Sequence, residues 1–237
     1  MTLTAGGSHE NPISDVPIRD AACLLVADMT GSEPKLLMGK RHSDQVFLPN
    51  KWVFPGGRVE DDDRLLAEGF TEPFSPADLA PEIKPFALAG IRELFEETGL
   101  LIGSNGPLHN PSPVWTTFAA TGQTPAPAQL IPLARAITPP GRVRRYDTWF
   151  FLANANALSA DMAATDGELL DLGWFTVEEA SGLDLPSITR RVLDDVVAIV
   201  RSERDFHDKG KPLPFYYSDG SAFRRDLISC KVAPSMP

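Results

Sequence analysis

The chain has 237 residues, 43% of them hydrophobic and 23% charged, and a formal net charge of −10. This is enough chain, of ordinary enough composition, to bury a sizeable core. The acidity argues against nucleic acid or an anionic membrane as partner, because both need a basic face; it leaves room for an anionic small molecule held by a cation and local arginines.

Residues 1–16 are polar and carry Gly and Pro, the pattern of a flexible N-terminal tail. Arg19 to Ala27 contains the apolar run AACLLVA and predicts a buried strand. Thr30 to Pro34 predicts a turn, and Lys35 to Arg41 a second strand that closes a hairpin. Phe54-Pro55-Gly56-Gly57 is a turn followed by Arg58, Val59 and four acids, Glu60 to Asp63. Glycines let backbone approach closely, so these acids are either a solvated loop or carboxylates beside accessible carbonyls. Residues 64–86 hold four prolines and read as an irregular link, with a short helix starting at Ser75-Pro76.

A helix is predicted from near Lys84–Phe86 to Thr98, with Gly99 as the left-handed residue just past its end. At about 100° per residue, Leu88, Ile91, Leu94 and Phe95 share one face, and Glu93, Glu96 and Glu97 gather on the other beside Arg92. Like charges three and four residues apart repel, and the last turns of a helix favour cations instead. The cluster is therefore either a solvated acidic face or, with Arg92 as partial counter-charge, a place for a hard divalent cation with oxygen ligands.

Residues 103–129, rich in Pro, Gly and Asn, read as a long connection with one short element around Val114–Ala120. Ile131–Thr138 is a predicted strand that breaks at Pro139-Pro140-Gly141. Arg142, Arg144 and Arg145 then form the one dense basic spot, either a solvated loop or a clamp for phosphate oxygens. Arg145–Ala153 and Asp166–Phe175 are further strands. Thr176 and Glu179 have capping-box spacing. Pro186–Phe206 is an amphipathic helix whose Arg190-Arg191 pair suits a solvated face. The remainder contains a hairpin with its turn at Asp219-Gly220. Cys23 and Cys230 have no metal-type spacing and imply no disulfide framework. No leader sequence is visible, and no apolar run approaches the roughly 20 residues of a membrane span, so a cytoplasmic location is expected.

Arg92-Glu93-Leu94-Phe95-Glu96-Glu97-Thr98-Gly99-Leu100 matches every fixed position of R-E-U-x-E-E-x-G-U (U, bulky aliphatic), the second half of the Nudix box. Gly57 resembles the glycine that opens the box. On these residues the chain is similar to the Nudix hydrolases over about 17–205, leaving 206–237 as a C-terminal extension. Two features depart from the pattern. Asp63 stands where a Glu is usual, with Glu60 as the other acid able to fill the role. Residues 64–91 also occupy a space where the family places seven, so 64–86 is an insertion within the box. The insertion, with Ile137-Thr138-Pro139 and Arg145 to Phe151, resembles the branch that includes acyl-CoA diphosphatases.

The resemblance implies an α/β fold, an α/β/α sandwich with a mixed β-sheet. It implies hydrolysis of a diphosphate linkage in a nucleoside diphosphate joined to another group, with Mg²⁺ or Mn²⁺. Glu93, Glu96 and Glu97 would be metal ligands, joined by the backbone of Gly57 and by Glu168 from a later strand or loop. Glu93 is alternatively the base that positions water, and Arg92 orients a carboxylate. Arg58, Arg142, Arg144 and Arg145 would hold substrate phosphates. CoA or acyl-CoA is the favoured substrate, with ADP-ribose, a dinucleotide or a nucleotide sugar as alternatives. A non-catalytic nucleotide sensor is disfavoured by the intact carboxylate motif. Many relatives are homodimers.

Overall fold

Strand β1, Ile18–Asp28, is the centre of the molecule. Its apolar run faces two ways: Ala22, Leu24 and Val26 enter one core, while Leu25 and Ala27 enter another on the opposite side of the sheet. Alternation with both faces buried is what a strand between two helical layers requires. The computed structural model describes residues 16–74, 79–159, 169–202 and 211–232.

The chain continues through β2 (Lys35–Arg41), β3 (Trp52–Val53), β4 (Gly56–Arg58), α1 (Asp61–Gly69), α2 (Lys84–Thr98), β5 (Gly103–Asn105), α3 (Thr116–Ala119), β6 (Gln123–Pro125), β7 (Ile131–Ile137) and β8 (Arg145–Asn154). It then forms β9 (Leu169–Thr176), α4 (Val177–Gly182), α5 (Ser187–Ser202), β10 (Leu213–Ser218) and β11 (Phe223–Ile228). One mixed sheet runs β11-β10-β7-β8-β1-β2-β3, with β4 on β1 and β9 on β2; β5 and β6 form a separate pair. β1 and β8 are parallel over ten residue pairs, Ile18 opposite Arg145 through Ala27 opposite Asn154. The α2 side chains Leu88, Ile91, Leu94 and Phe95 fill one core, together with Trp149 and Phe151 of β8. Val192, Leu193, Val196 and Val200 of α5 fill the other, with Phe150 and Leu152. The architecture is the expected α/β/α sandwich with a mixed sheet.

Several expectations hold closely. β2 and α2 have the anticipated bounds, Gly99 caps α2 at φ 72°, and the Thr176–Glu179 capping box forms in both directions. Others need correction. The 64–86 link does not begin as irregular chain, because 61–69 are helical. Three acids in the first turn of α1 suit the positive end of a helix, and Asp63 accepts the Glu60 amide N–H at 2.9 Å. Ser75–Asp78, including the anticipated helix start, and the tail 1–15 lie outside the described residues. The part of 206–237 that is described joins the sheet: β10 runs parallel to β7, with Phe215 opposite Arg135. Buried Arg135 makes a two-pronged pair with Asp147 at 2.8 and 2.6 Å and lies 4.6 Å over the Phe215 ring. No helix of the described residues is long and apolar enough to cross a membrane.

Candidate active site

The second half of α2 is pressed against β4 and α1, so its carboxylate face is mostly covered. Arg92 and Glu97 are both 3% exposed. A buried arginine needs a partner for each of its five N–H bonds. Arg92 has all five. Nε donates to Asp63 Oδ1 at 3.0 Å. Nη2 donates to Asp63 Oδ2 at 2.9 Å and to the Arg58 carbonyl at 2.8 Å. Nη1 donates to Glu93 Oε1 and to Glu96 Oε2, both at 2.9 Å. One guanidinium nitrogen thus draws two of the three glutamates together.

The third meets the same place through backbone. Glu97 Oε2 accepts the Gly56 amide N–H at 2.8 Å. The Glu93 carboxylate lies against the Gly57 Cα, where a Cβ would stand 2.4 Å from both its oxygens. A Cβ on Gly56 would fall 2.3 Å from the Ala22 carbonyl oxygen. The Gly-Gly pair is therefore required by close approach, β1 on one residue and a carboxylate on the next.

Burial opposes the charge on Arg92. Its hydrogen bonds to Asp63 and the fields of Glu93, Asp63 and Glu96 outweigh that and hold its pKa above the ordinary value. Burial pushes the Glu93 carboxyl up to about 7, against the pull of Arg92 and with Glu96 and Asp63 adding to the rise. Burial, then Glu97, pushes the neighbouring Cys23 thiol up to about 12, so it stays protonated and inert.

No protein-family model matches the chain. A Caenorhabditis elegans protein named as nudix hydrolase 7 is 30% identical over 176 residues, 68% of this chain and 52% of that protein. A Danio rerio protein named m7GpppN-mRNA hydrolase NUDT17 is 38% identical over 72 residues, 30% of this chain and 17% of that one. The chain thus spans about half the length of the first and less of the second. The crystal structure of a NUDIX hydrolase from Alicyclobacillus acidocaldarius matches with a TM-score of 0.63 at 25% identity, covering 78% of this chain and 93% of that one. The fold is that of the Nudix hydrolases, and the chain is similar to them in sequence.

Within this Nudix fold, Asp63 is the acid that grips Arg92; the nearest cation to Glu60 is Arg58, at 3.8 Å. The structure brings Arg92, Glu93, Glu96, Glu97 and Gly57 together. Glu168 lies outside the described residues. Arg58 stands one residue past Gly57 on β4, half exposed. Arg142 and Arg144 are exposed on the β7–β8 turn, while Arg145 is half-buried and donates to the Thr138 carbonyl at 3.0 Å. Among the described residues no contact joins these three arginines to the glutamates. Sequence reading missed Trp115, whose indole N–H donates to Asp63 Oδ1 at 3.1 Å.

An all-oxygen set converging on one nitrogen and one Gly-Gly backbone is chemically suited to Mg²⁺ or Mn²⁺. Among the described residues no group of three or more His, Cys, Asp or Glu side chains is drawn into position to hold a metal ion. The carboxylates rest instead on Arg92 and the Gly56 amide. An open arrangement of this kind fits a cation that keeps several of its waters.

Proposed function

We propose that the chain is a divalent-metal-dependent hydrolase of the diphosphate bond in a nucleoside diphosphate joined to a second group, with CoA or an acyl-CoA as the favoured substrate. The observation that carries the reading is Arg92 Nη1 holding Glu93 and Glu96 at 2.9 Å each, beside a Glu97 fixed on Gly56. Glu93, Glu96, Glu97 and the Gly57 carbonyl would hold the cation. When bound, it would neutralise the non-bridging oxygens and make water a better nucleophile. Arg92 sets the separation and direction of Glu93 and Glu96. Glu93 is a ligand or, as the glutamate whose proton affinity burial has raised, the base that takes a proton from the attacking water.

Recognition falls to Arg58, Arg142, Arg144 and Arg145. Gly57 is opposite Ala22 on one edge of β1 and Arg145 opposite Ile18 on the other, four residues or about 13 Å apart along the strand direction alone. Arg58, opposite Ala21, lies between, so arginines stand along β1 from the carboxylate centre outward. The name of the Danio rerio relative supports a second reading, a capped nucleotide. The net charge of −10 weighs against a long RNA body as the thing gripped. ADP-ribose, a dinucleotide or a nucleotide sugar would use the same chemistry.

The test is nucleotide release from CoA, ADP-ribose, NADH, a diadenosine polyphosphate and a cap analogue, each with Mg²⁺ and with EDTA. The expected result is Mg²⁺-dependent release of 3′,5′-ADP from CoA with the highest kcat/KM of the set. A preference for another member would replace CoA while keeping the reaction. Tight binding of one compound with turnover of none would make the chain a sensor.

A further inference from the structure

We propose that Trp115 is a positioning residue of this centre, its indole N–H fixing the carboxylate that fixes Arg92. The proposal rests on the metal-centre reading above.

Asp63 is 0% exposed, and a buried carboxylate has about four acceptor sites to satisfy. Oδ2 takes the Glu60 amide and Arg92 Nη2, both at 2.9 Å. Oδ1 takes Arg92 Nε at 3.0 Å and Trp115 Nε1 at 3.1 Å. Three of these donors come from the start of α1 and from Arg92 itself. Only the indole reaches in from elsewhere, across 52 residues of sequence.

That indole is held from both sides. Trp115 is 1% exposed and ends a 3₁₀ turn, Pro113–Trp115. Its ring meets Phe118 edge-on at 5.3 Å, and Phe118 meets Phe95 of α2 edge-on at 5.4 Å. One residue earlier, the Val114 amide donates to Asp62 of α1 at 3.4 Å. The turn thus ties α1 to α2, the two helices that the proline-rich link separates in sequence. Because Asp63 has a short stem, a lateral donor is what keeps its two oxygens square to the Arg92 fork. If that donor is lost, a buried oxygen goes short of a partner and the fork can tilt. The same guanidinium carries Glu93 and Glu96 on Nη1, so the tilt would reach the cation's ligands directly.

The experiment compares Trp115→Phe, which keeps an aromatic ring and removes the N–H, with Phe118→Leu, which disturbs the same ring cluster and removes no donor. Mn²⁺ binding, with the metal alone as probe, is followed by electron paramagnetic resonance. Trp115→Phe is expected to weaken Mn²⁺ about tenfold and to lower kcat with little change in KM, the size usual when a group orienting metal ligands is removed. Phe118→Leu should keep its Mn²⁺ affinity within about twofold, since it leaves every ligand contact in place. In the Asp63→Asn background, Trp115→Phe should add little. Equal Mn²⁺ affinity in wild type and Trp115→Phe, or equal losses in Trp115→Phe and Phe118→Leu, overturns the proposal and makes Trp115 a packing residue. A wild-type protein that binds no Mn²⁺ overturns the metal-centre reading, and this proposal with it.

Discussion

The two arginine-bearing regions of the molecule are opposites. Arg92 is buried, with five N–H bonds placed on two backbone-anchored helices and a strand. Arg142 and Arg144 stand exposed on the β7–β8 turn, with Arg145 half-buried at its base. The first arrangement is finished before any ligand arrives, and its geometry costs nothing further to organise. Arg142 and Arg144 of the second keep their donors in water, while Arg145 already commits its Nε to the Thr138 carbonyl. On the proposed function, chemistry that must be oriented to fractions of an ångström would be built into the core, and recognition, which tolerates adjustment, would sit on the rim.

The sharpest way to break this comparison is Arg92→Ala. It should cost about 3–5 kcal/mol, because it strands Asp63 as a buried charge, and activity should vanish with it; denaturant midpoints measure the first and turnover the second. An activity loss without destabilisation would show that Arg92 acts on substrate instead of on its neighbours.

The raised Glu93 gives a pH test of the core alone. Its folded-state carboxyl, up at about 7, binds a proton more tightly than the unfolded one. Its contribution to stability is therefore fully present below the ordinary carboxylate range and is lost as pH rises through about 7. In EDTA, Glu93→Gln, which mimics the neutral form, should match wild type near pH 4 and be the more stable of the two at pH 8. Saturating Mn²⁺ should reverse that order at pH 8. A pH-independent difference in Tm would remove Glu93 from this role.

At the rim the effects shrink. Arg145→Ala should raise KM about fivefold with kcat nearly unchanged, the size of one partly exposed charged hydrogen bond. Arg142→Ala should raise KM no more than about twofold, since fully exposed pairs are worth little. Equal kcat losses in either variant would move the rim into the chemistry.

The same contrast explains what could be read from sequence. α2 was legible because apolar spacing, Gly99 and three clustered glutamates all agree on one helix and one face. The sandwich was implied by the Nudix resemblance of Arg92 to Leu100; β1 and β8 were legible from their own residues only as strands, through their apolar and aromatic runs. α1 was hidden although Asp61-Asp62-Asp63 suits a helix start, because the prolines from Pro73 onward drew residues 64–86 into one irregular link. Sequence left Asp63 and Glu60 as alternatives for the usual Glu of the box and did not name the carboxylate that Arg92 holds; that required knowing that α1 turns Asp63 inward. Trp115 gave no local sign at all. A single tryptophan in a Pro- and Gly-rich stretch is ordinary, and its contact with Asp63 exists only once residues 52 apart are folded together.

The central claim is that the α2 glutamates form a divalent-metal centre. It is tested most directly by Mn²⁺ titration of wild type and Glu97→Gln, followed by electron paramagnetic resonance with circular dichroism as the check on folding. Gln keeps an oxygen for the Gly56 amide, so the fold should be unchanged. The expected result is a wild-type site whose affinity falls at least about tenfold in the folded variant, with metal-dependent hydrolysis lost. Equal Mn²⁺ affinity in the two proteins would contradict it.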